Sequence, residues 1–177
     1  MPEDLCQCGF GEEYFTIEND QSICTVCEGL VAGHPSVVFD EAADDRGKRI
    51  IVVDDQPFFR KRIRDTFTGE GHEVLEAGEG IEAVRHLSES LAASVADPSR
   101  RVNLVVLDLT MPGLIDGFQT LGVLKAMDSS LPVVILTSSP PTKELLQKLG
   151  ELKAKKYLNK GSKDLEGLLL RNLEAIT

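Results

Sequence analysis

The most constraining feature of this sequence is a set of short segments that are strongly apolar: Arg49–Val53, Val102–Leu107 and Pro132–Leu136. A half-exposed strand alternates apolar and polar residues, because successive side chains point to opposite faces. Nearly uninterrupted runs of this length belong to strands covered on both faces, as in a parallel sheet with helices above and below. None approaches the ~18 residues of a membrane-spanning helix. Two weaker strands follow, His72–Glu76 and Lys156–Leu158, and helical periodicity fills the intervals. Pro57–Phe67 carries Pro near its start. Ile81, Val84, Leu87, Leu91 and Val95 mark one face of a helix ending near Asp97-Pro98. Phe118–Met127, Lys143–Leu149 and an amphipathic Leu165–Ile176 complete the set. Five strands alternating with five helices predict an α/β fold: a doubly wound five-stranded parallel sheet with right-handed crossovers.

That pattern starts only at residue 48. The chain has 177 residues, 42% of them hydrophobic, enough for one or two small domains with a sizeable core. Residues 1–45 hold eleven acidic side chains and no Lys or Arg, and so account for the net charge of −10. All four cysteines lie here too. Cys6-Gln-Cys8 and Cys24-Thr-Val-Cys27 enclose Glu13–Glu18 and Gln21–Val26, which read as two strands turning at Asn19-Asp20. A β-hairpin that brings both cysteine pairs to its open end offers four thiolates to one tetrahedral centre, which suits structural Zn²⁺. A segment of ~30 residues buries too little apolar surface to be stable alone, so the metal would hold it together. Iron in the same site and bare thiols are the other readings of these residues. His34, in Gly33-His34-Pro35, reads as an ordinary loop histidine rather than a substitute ligand. The arrangement resembles a zinc ribbon, with Cys-x-Cys where that family commonly has Cys-x-x-Cys. The domain reading is 1–30 for the cysteine module, 31–47 for an acidic linker carrying Gly and Pro, and 48–177 for the α/β domain.

In a doubly wound sheet the site lies outside the C-terminal ends of the strands. There the first apolar run ends in Asp54-Asp55, the third strand in Asp108 and the fourth in Thr137-Ser138, while Lys160 stands just past the fifth. Three clustered acids repel one another and require a bound cation. Hard oxygen ligands with room for water suit Mg²⁺.

Residues 48–177 resemble the response-regulator receiver domain of two-component signalling, a flavodoxin-like (βα)5 fold. The motifs are Asp54-Asp55, Val-Val-Leu-Asp108-Leu-Thr-Met-Pro, the step Thr137-Ser138, Tyr157 three residues before Lys160, and Glu76-Ala77 leading to Gly80-Ile-Glu-Ala83. The resemblance implies that Asp108 accepts a phosphoryl group from a phosphohistidine. It further implies that Asp55, Asp108 and the main-chain carbonyl of Thr110 bind Mg²⁺ directly, with Asp54 acting through water. Lys160 would pair with the phosphoryl oxygens, and Thr137 would hydrogen-bond to them. Tyr157 would be an aromatic switch that follows Thr137 and becomes buried on phosphorylation. Three departures stand out. Gly161 follows Lys160 where the family usually has Pro, the loop Met111–Gly117 is one residue longer than usual, and Ser138 replaces a common Ala.

The function expected is that of a response regulator, a phosphoacceptor that is not a turnover enzyme on an external substrate. The chain ends with its last helix, so output is expected through protein contacts. A pseudo-receiver that binds without being phosphorylated is the main alternative. A small Mg²⁺-dependent phosphatase of similar topology ranks last, because Thr110 stands where a second acid would be. The expected partners are a sensor histidine kinase or phosphotransfer protein and a downstream protein, with room for a homodimer and with no nucleic acid or membrane. The start, Met1-Pro2-Glu3-Asp4, lacks the basic and apolar stretches of a secretory signal, which leads to a cytoplasmic expectation. The basic run Arg60-Lys61-Arg62-Arg64 reads as a solvated helix face.

Overall fold

In the computed structural model, which describes residues 15–18, 21–24, 30–31 and 47–176, the chain divides into two units, Met1–Arg46 and Gly47–Thr177. In the first, Phe15–Glu18 (β1) pairs antiparallel with Gln21–Cys24 (β2), Phe15 opposite Cys24 and Glu18 opposite Gln21. Leu30–Val31 (β3) pairs antiparallel with β2 and is a third strand that the hairpin reading lacks. Cys24 belongs to the backbone of β2. Cys6, Cys8, Cys27, His34 and most of the 31–47 linker lie outside the described residues, and so does the expected zinc site.

The second unit carries five parallel strands, Arg49–Val53 (β4), Glu73–Ala77 (β5), Leu104–Leu107 (β6), Val133–Thr137 (β7) and Lys156–Asn159 (β8). They are joined by Pro57–Gly69 (α1), Gly80–Ser94 (α2), Gly117–Met127 (α3) and Lys143–Glu151 (α4), and Leu165–Ile176 (α5) follows. The strand order is β5-β4-β6-β7-β8. The chain therefore leaves β4 toward one edge, recrosses, and continues toward the other. That reversal opens a crevice between the C-terminal ends of β4 and β6.

Every residue of β4, β6 and β7 is buried, as strands covered on both faces require. Ile50, Val52, Leu104, Val106, Val134 and Leu136 point to one side, against Ile63 and Phe67 of α1 and Leu165, Leu169 and Leu173 of α5. The alternate residues Ile51, Val53, Val105, Leu107, Val133 and Ile135 point to the other, where α2, α3 and α4 bury Ala83, Leu87, Leu121, Leu124, Leu146 and Leu149. Each such Leu, Ile or Phe contributes roughly 1.5–3 kcal/mol by leaving water.

The structure corrects several local readings. The second helix ends at Ser94, and its buried face is Gly80, Ala83, Leu87 and Ser90; Val95 is 88% exposed and Ile81 42%. Leu87 of the apolar stripe seen in the sequence is thus buried beside the small residues Gly80, Ala83 and Ser90, while the ends of the stripe at Ile81 and Val95 lie outside the contact. Strand β6 starts at Leu104, because the two preceding residues are held by side chains: Val102 N donates to Ser90 Oγ, and Arg49 N donates to Asn103 Oδ1. Strand β5 starts one residue late, since His72 Nδ1 accepts from Lys48 N at 3.2 Å. The basic run on α1 is not a free face. Arg62 pairs with Glu166, Arg64 with Asp65 and Glu76, and Arg60 with Glu76.

The turn from α3 into β7 is tied by Asp128, whose carboxylate accepts from Ser130 N, Ser130 Oγ and Arg101 Nη2 at 3.0, 2.6 and 2.7 Å. Burial acts to raise its pKa, but the bonds from Ser130 and Arg101 outweigh it and hold the value at about 2 against an ordinary 3.8. A lowered carboxyl pKa stabilises the fold above the unfolded value and loses that contribution as pH falls through the folded one. Asp128→Asn should therefore lower the melting temperature at neutral pH, and the difference should close between 3.8 and about 2. Thermal denaturation across that acid range checks it.

Candidate functional site

The sheet ladder continues one residue beyond three strand ends. Asp54 N donates to Ala77 O at 3.1 Å, Asp108 N to Val53 O at 2.9 Å, and Lys160 N to Thr137 O at 3.0 Å. The backbones of these three residues are therefore fixed by strand pairing, and their side chains converge on the crevice. Lys160 Nζ lies 2.6 Å from Asp54 Oδ2 and donates to Asp108 Oδ2 at 2.7 Å. The contact with Asp54 is an ion pair without hydrogen-bond alignment, which leaves Asp54 Oδ2 short of a proper donor. The remaining oxygens are held by their own turns: Gln56 N donates to Asp54 Oδ1 at 2.9 Å, and Thr110 N to Asp108 Oδ1 at 3.0 Å.

Asp54 and Asp108 are almost wholly buried, and so is the Lys160 side chain. The ammonium also stands 4.7 Å from the centre of the Phe59 ring. Burial pushes the Asp54 carboxyl above its usual range, against the pull of Lys160 and the Gln56 amide. Burial acts to lower the Lys160 ammonium, but pairing with Asp108 and Asp54 outweighs it, and its pKa rises. Asp55 completes the cluster. Its Oδ1 is buried without a hydrogen-bond partner, and Asp54, Asp55 and Asp108 each offer an oxygen within 4.8 Å of the others. Three carboxylates and one ammonium leave two negative charges uncompensated by simple counting, and hard oxygen donors suit a small divalent cation. The residues fit Mg²⁺.

Thr137 ends β7 fully buried, its Oγ1 3.4 Å from Thr110 Oγ1 and accepting from Ser139 N at 3.3 Å. Tyr157, the expected aromatic switch, stands on β8. It is 1% exposed here, and its hydroxyl donates to the carbonyl of Ser139. The ring is desolvated and the hydroxyl satisfied in this position.

Local packing sets the far wall. A Cβ on Gly117 would fall 2.4 Å from Leu109 Cα and 2.6 Å from Asp108 O, so only glycine lets α3 begin against the Asp108 backbone. A Cβ on Gly80 would meet Thr120 Oγ1 at 2.0 Å and Ile115 Cγ1 at 2.8 Å. The lengthened loop is thus anchored on α2 through Ile115, while Leu114 is 85% exposed. Asp116 caps α3 and exchanges bonds with Gln119 in a capping box. Gly161 N donates to Asn159 Oδ1 at 2.7 Å, a turn that holds the Lys160 segment without the usual Pro. Phe59, Arg60 and Ser139 also touch the site or its framework, and sequence reading did not single them out for it.

The sheet order, the convergent acids and the buried lysine can be compared with known proteins. Residues 50–170 match the family model described as the response regulator receiver domain. The chain belongs to that family. Among curated relatives, the receiver is 35% identical over 113 residues to the chemotaxis protein CheY of Treponema pallidum, covering 63% of this chain and 72% of that protein. It is 30% identical to sporulation initiation phosphotransferase F of Bacillus subtilis, covering 51% and 64%. With the DNA-binding response regulator MtrA of Mycolicibacterium smegmatis it shares 33% identity, spanning 58% of this chain but only 40% of that protein. Among solved structures, the receiver domain of the Arabidopsis thaliana histidine kinase CKI1, in complex with Mg²⁺ and BeF₃⁻, superposes with a TM-score of 0.63 at 25% identity, covering 75% of this chain and 95% of that one. CheY4 of Vibrio cholerae gives 0.60 at 22% identity, covering 74% and 99%, a likeness of fold. Receiver domains bind Mg²⁺ at an acidic site, and Asp54, Asp55 and Asp108 form such a cluster here. No helix among the described residues is long and apolar enough to cross a membrane.

A raised carboxyl pKa means that ionisation costs folding stability once pH passes the unfolded value of 3.8. Metal-free Asp54→Asn should therefore melt higher than the native chain at neutral pH. The gain should vanish below 3.8, where the carboxyl is protonated in both states. Calorimetry in chelator checks the sign.

Proposed function

We propose that this receiver is a response regulator that accepts a phosphoryl group on Asp108 from a histidine kinase or phosphotransfer protein. The observation that carries the reading is Asp108 at the end of β6, paired with Lys160 and within ligand reach of Asp54 and Asp55. An oxygen of Asp108 attacks phosphorus, the bond from phosphorus to the donor's imidazole nitrogen breaks, and that nitrogen keeps the electron pair. Phosphoryl transfer needs positioning and charge compensation rather than covalent help from side chains. Lys160 swings from Asp54 toward the incoming oxygens while staying near Asp108. The Thr137 hydroxyl supplies a further donor. Asp55, Asp108 and the Thr110 carbonyl would hold Mg²⁺ directly and Asp54 through water; when bound, the ion neutralises charge on the transferring group. Tyr157 reads out the state through its bond to Ser139, beside Thr137.

The same reading makes the protein a signalling component rather than a turnover enzyme, acting on other proteins from the cytoplasm. Acetyl phosphate with Mg²⁺ should add one phosphate to the native chain, seen as intact mass, and Asp108→Asn should take none. Equal labelling of Asp108→Asn would refute the assignment; a native chain that is never labelled would be a binding module of this fold.

For residues 1–30 we propose a Zn²⁺ module held by Cys6, Cys8, Cys24 and Cys27 that docks a protein. Non-specific nucleic-acid affinity comes mostly from Lys and Arg on phosphates. Residues 1–45 carry none beside eleven acids, and four thiolates on zinc would add about −2. Protein purified without chelator should contain one additional equivalent of zinc, lost in a Cys24→Ser, Cys27→Ser variant. Less than about half an equivalent in the native chain would exclude the metal.

A further inference from the structure

We infer that Arg60 is a positioning residue for Asp55, acting through the main chain of Asp54. Arg60 stands in the first turns of α1, and its Nη1 donates to the carbonyl oxygen of Asp54 at 2.7 Å. That carbonyl belongs to the peptide joining Asp54 to Asp55. Because the peptide is planar, fixing its oxygen fixes the plane from which the Asp55 side chain departs. The guanidinium is itself held from a second direction, its Nε 3.3 Å from Glu76 on β5. A planar, rigid group caught at two points has little freedom left. One side chain thus ties the acidic corner of β4 to the neighbouring strand.

The tether matters most for Asp55. Asp54 and Asp108 each accept an amide two residues on, and each contacts Lys160. Asp55 Oδ1 is buried with no hydrogen-bond partner, so no hydrogen bond orients that oxygen and the placement of its backbone counts for more. A ligand that must meet a cation at one point loses affinity when its supporting contacts are removed. Arg64 provides the internal control. It lies on the same helix and pairs with the same Glu76 at 2.7 Å, and its described contacts run to Asp65 and Glu76, not to Asp54.

The inference rests on the reading of the acidic cluster as a Mg²⁺ site, and the test separates the two. In the full chain, Arg60→Lys keeps the charge but cannot span Asp54 and Glu76 with one plane. Calorimetric titration with MgCl₂ should show affinity about tenfold weaker. The Asp55 amide resonance of the metal-free protein should move. Arg64→Lys should stay within about twofold of native in affinity, with the Asp55 amide in place. If Arg60→Lys does not fold, Arg60→Met replaces it. Removing a positive charge beside the acids would by Coulomb's law tighten cation binding, so weakening supports positioning and tightening overturns it. Native-like affinity in Arg60→Lys, or an equal loss in Arg64→Lys, also overturns it. A native chain with no Mg²⁺ binding would sink the metal reading instead, and the metal-free Asp55 shift would then decide the role of Arg60.

Discussion

The pairing of Lys160 with Asp54 and Asp108 is the interaction on which the rest of this domain turns. Carboxylates brought together and taken out of water favour their neutral forms. A single ammonium at 2.6 and 2.7 Å offsets part of that charge, while burial still pushes the Asp54 carboxyl upward. Such a cluster tolerates little displacement, because Coulomb energies in a buried site change steeply with distance. The fold meets that demand with backbone. The residue just past β4, β6 and β8 still takes part in the ladder, so the charged groups inherit the precision of the sheet.

That precision depends on apolar packing elsewhere. Strands β4, β6 and β7 are buried throughout, with α1 and α5 on one face and α2, α3 and α4 on the other. Placing β4, the first strand of this unit, inside the sheet rather than at its edge creates the crevice, and the two strands that flank it are those ending in Asp54-Asp55 and Asp108. Glycine does related work at the margin. Gly117 allows α3 to start against the main chain of Asp108, and Gly80 accepts Ile115 from the longer loop. The longer loop is thereby packed on α2, and Asp108 stays paired with Lys160.

Thr137 and Tyr157 form a second layer behind the charges. Thr137 is fixed by β7, and the chain then turns so that the Ser139 carbonyl receives the Tyr157 hydroxyl. Thr110, two residues past Asp108, places its hydroxyl near that of Thr137. The rim of β6 is thereby joined to the rims of β7 and β8 by short polar contacts.

Much of this was legible in the chain itself. Continuous apolar runs specify buried parallel strands because alternation is lost only when both faces are covered, and the residue ending each run must then stand on one rim. Asp54, Asp55, Asp108, Thr137 and Lys160 could be named on that ground alone. What periodicity misjudged is where local pattern and tertiary contact diverge. Ile81 and Val95 looked like core but lie outside the α2 contact, which is made by Gly80, Ala83, Leu87 and Ser90. Arg60 looked like a solvated charge, yet it bonds the carbonyl of Asp54, a partner that one-dimensional pattern cannot display since any residue has a carbonyl. The inward position of Tyr157 rests on a carbonyl in the same way. Side-chain type and spacing determined which groups would gather at the site. Only the folded chain decided which backbone oxygens hold them, because main-chain acceptors are identical in every residue and acquire identity only through position.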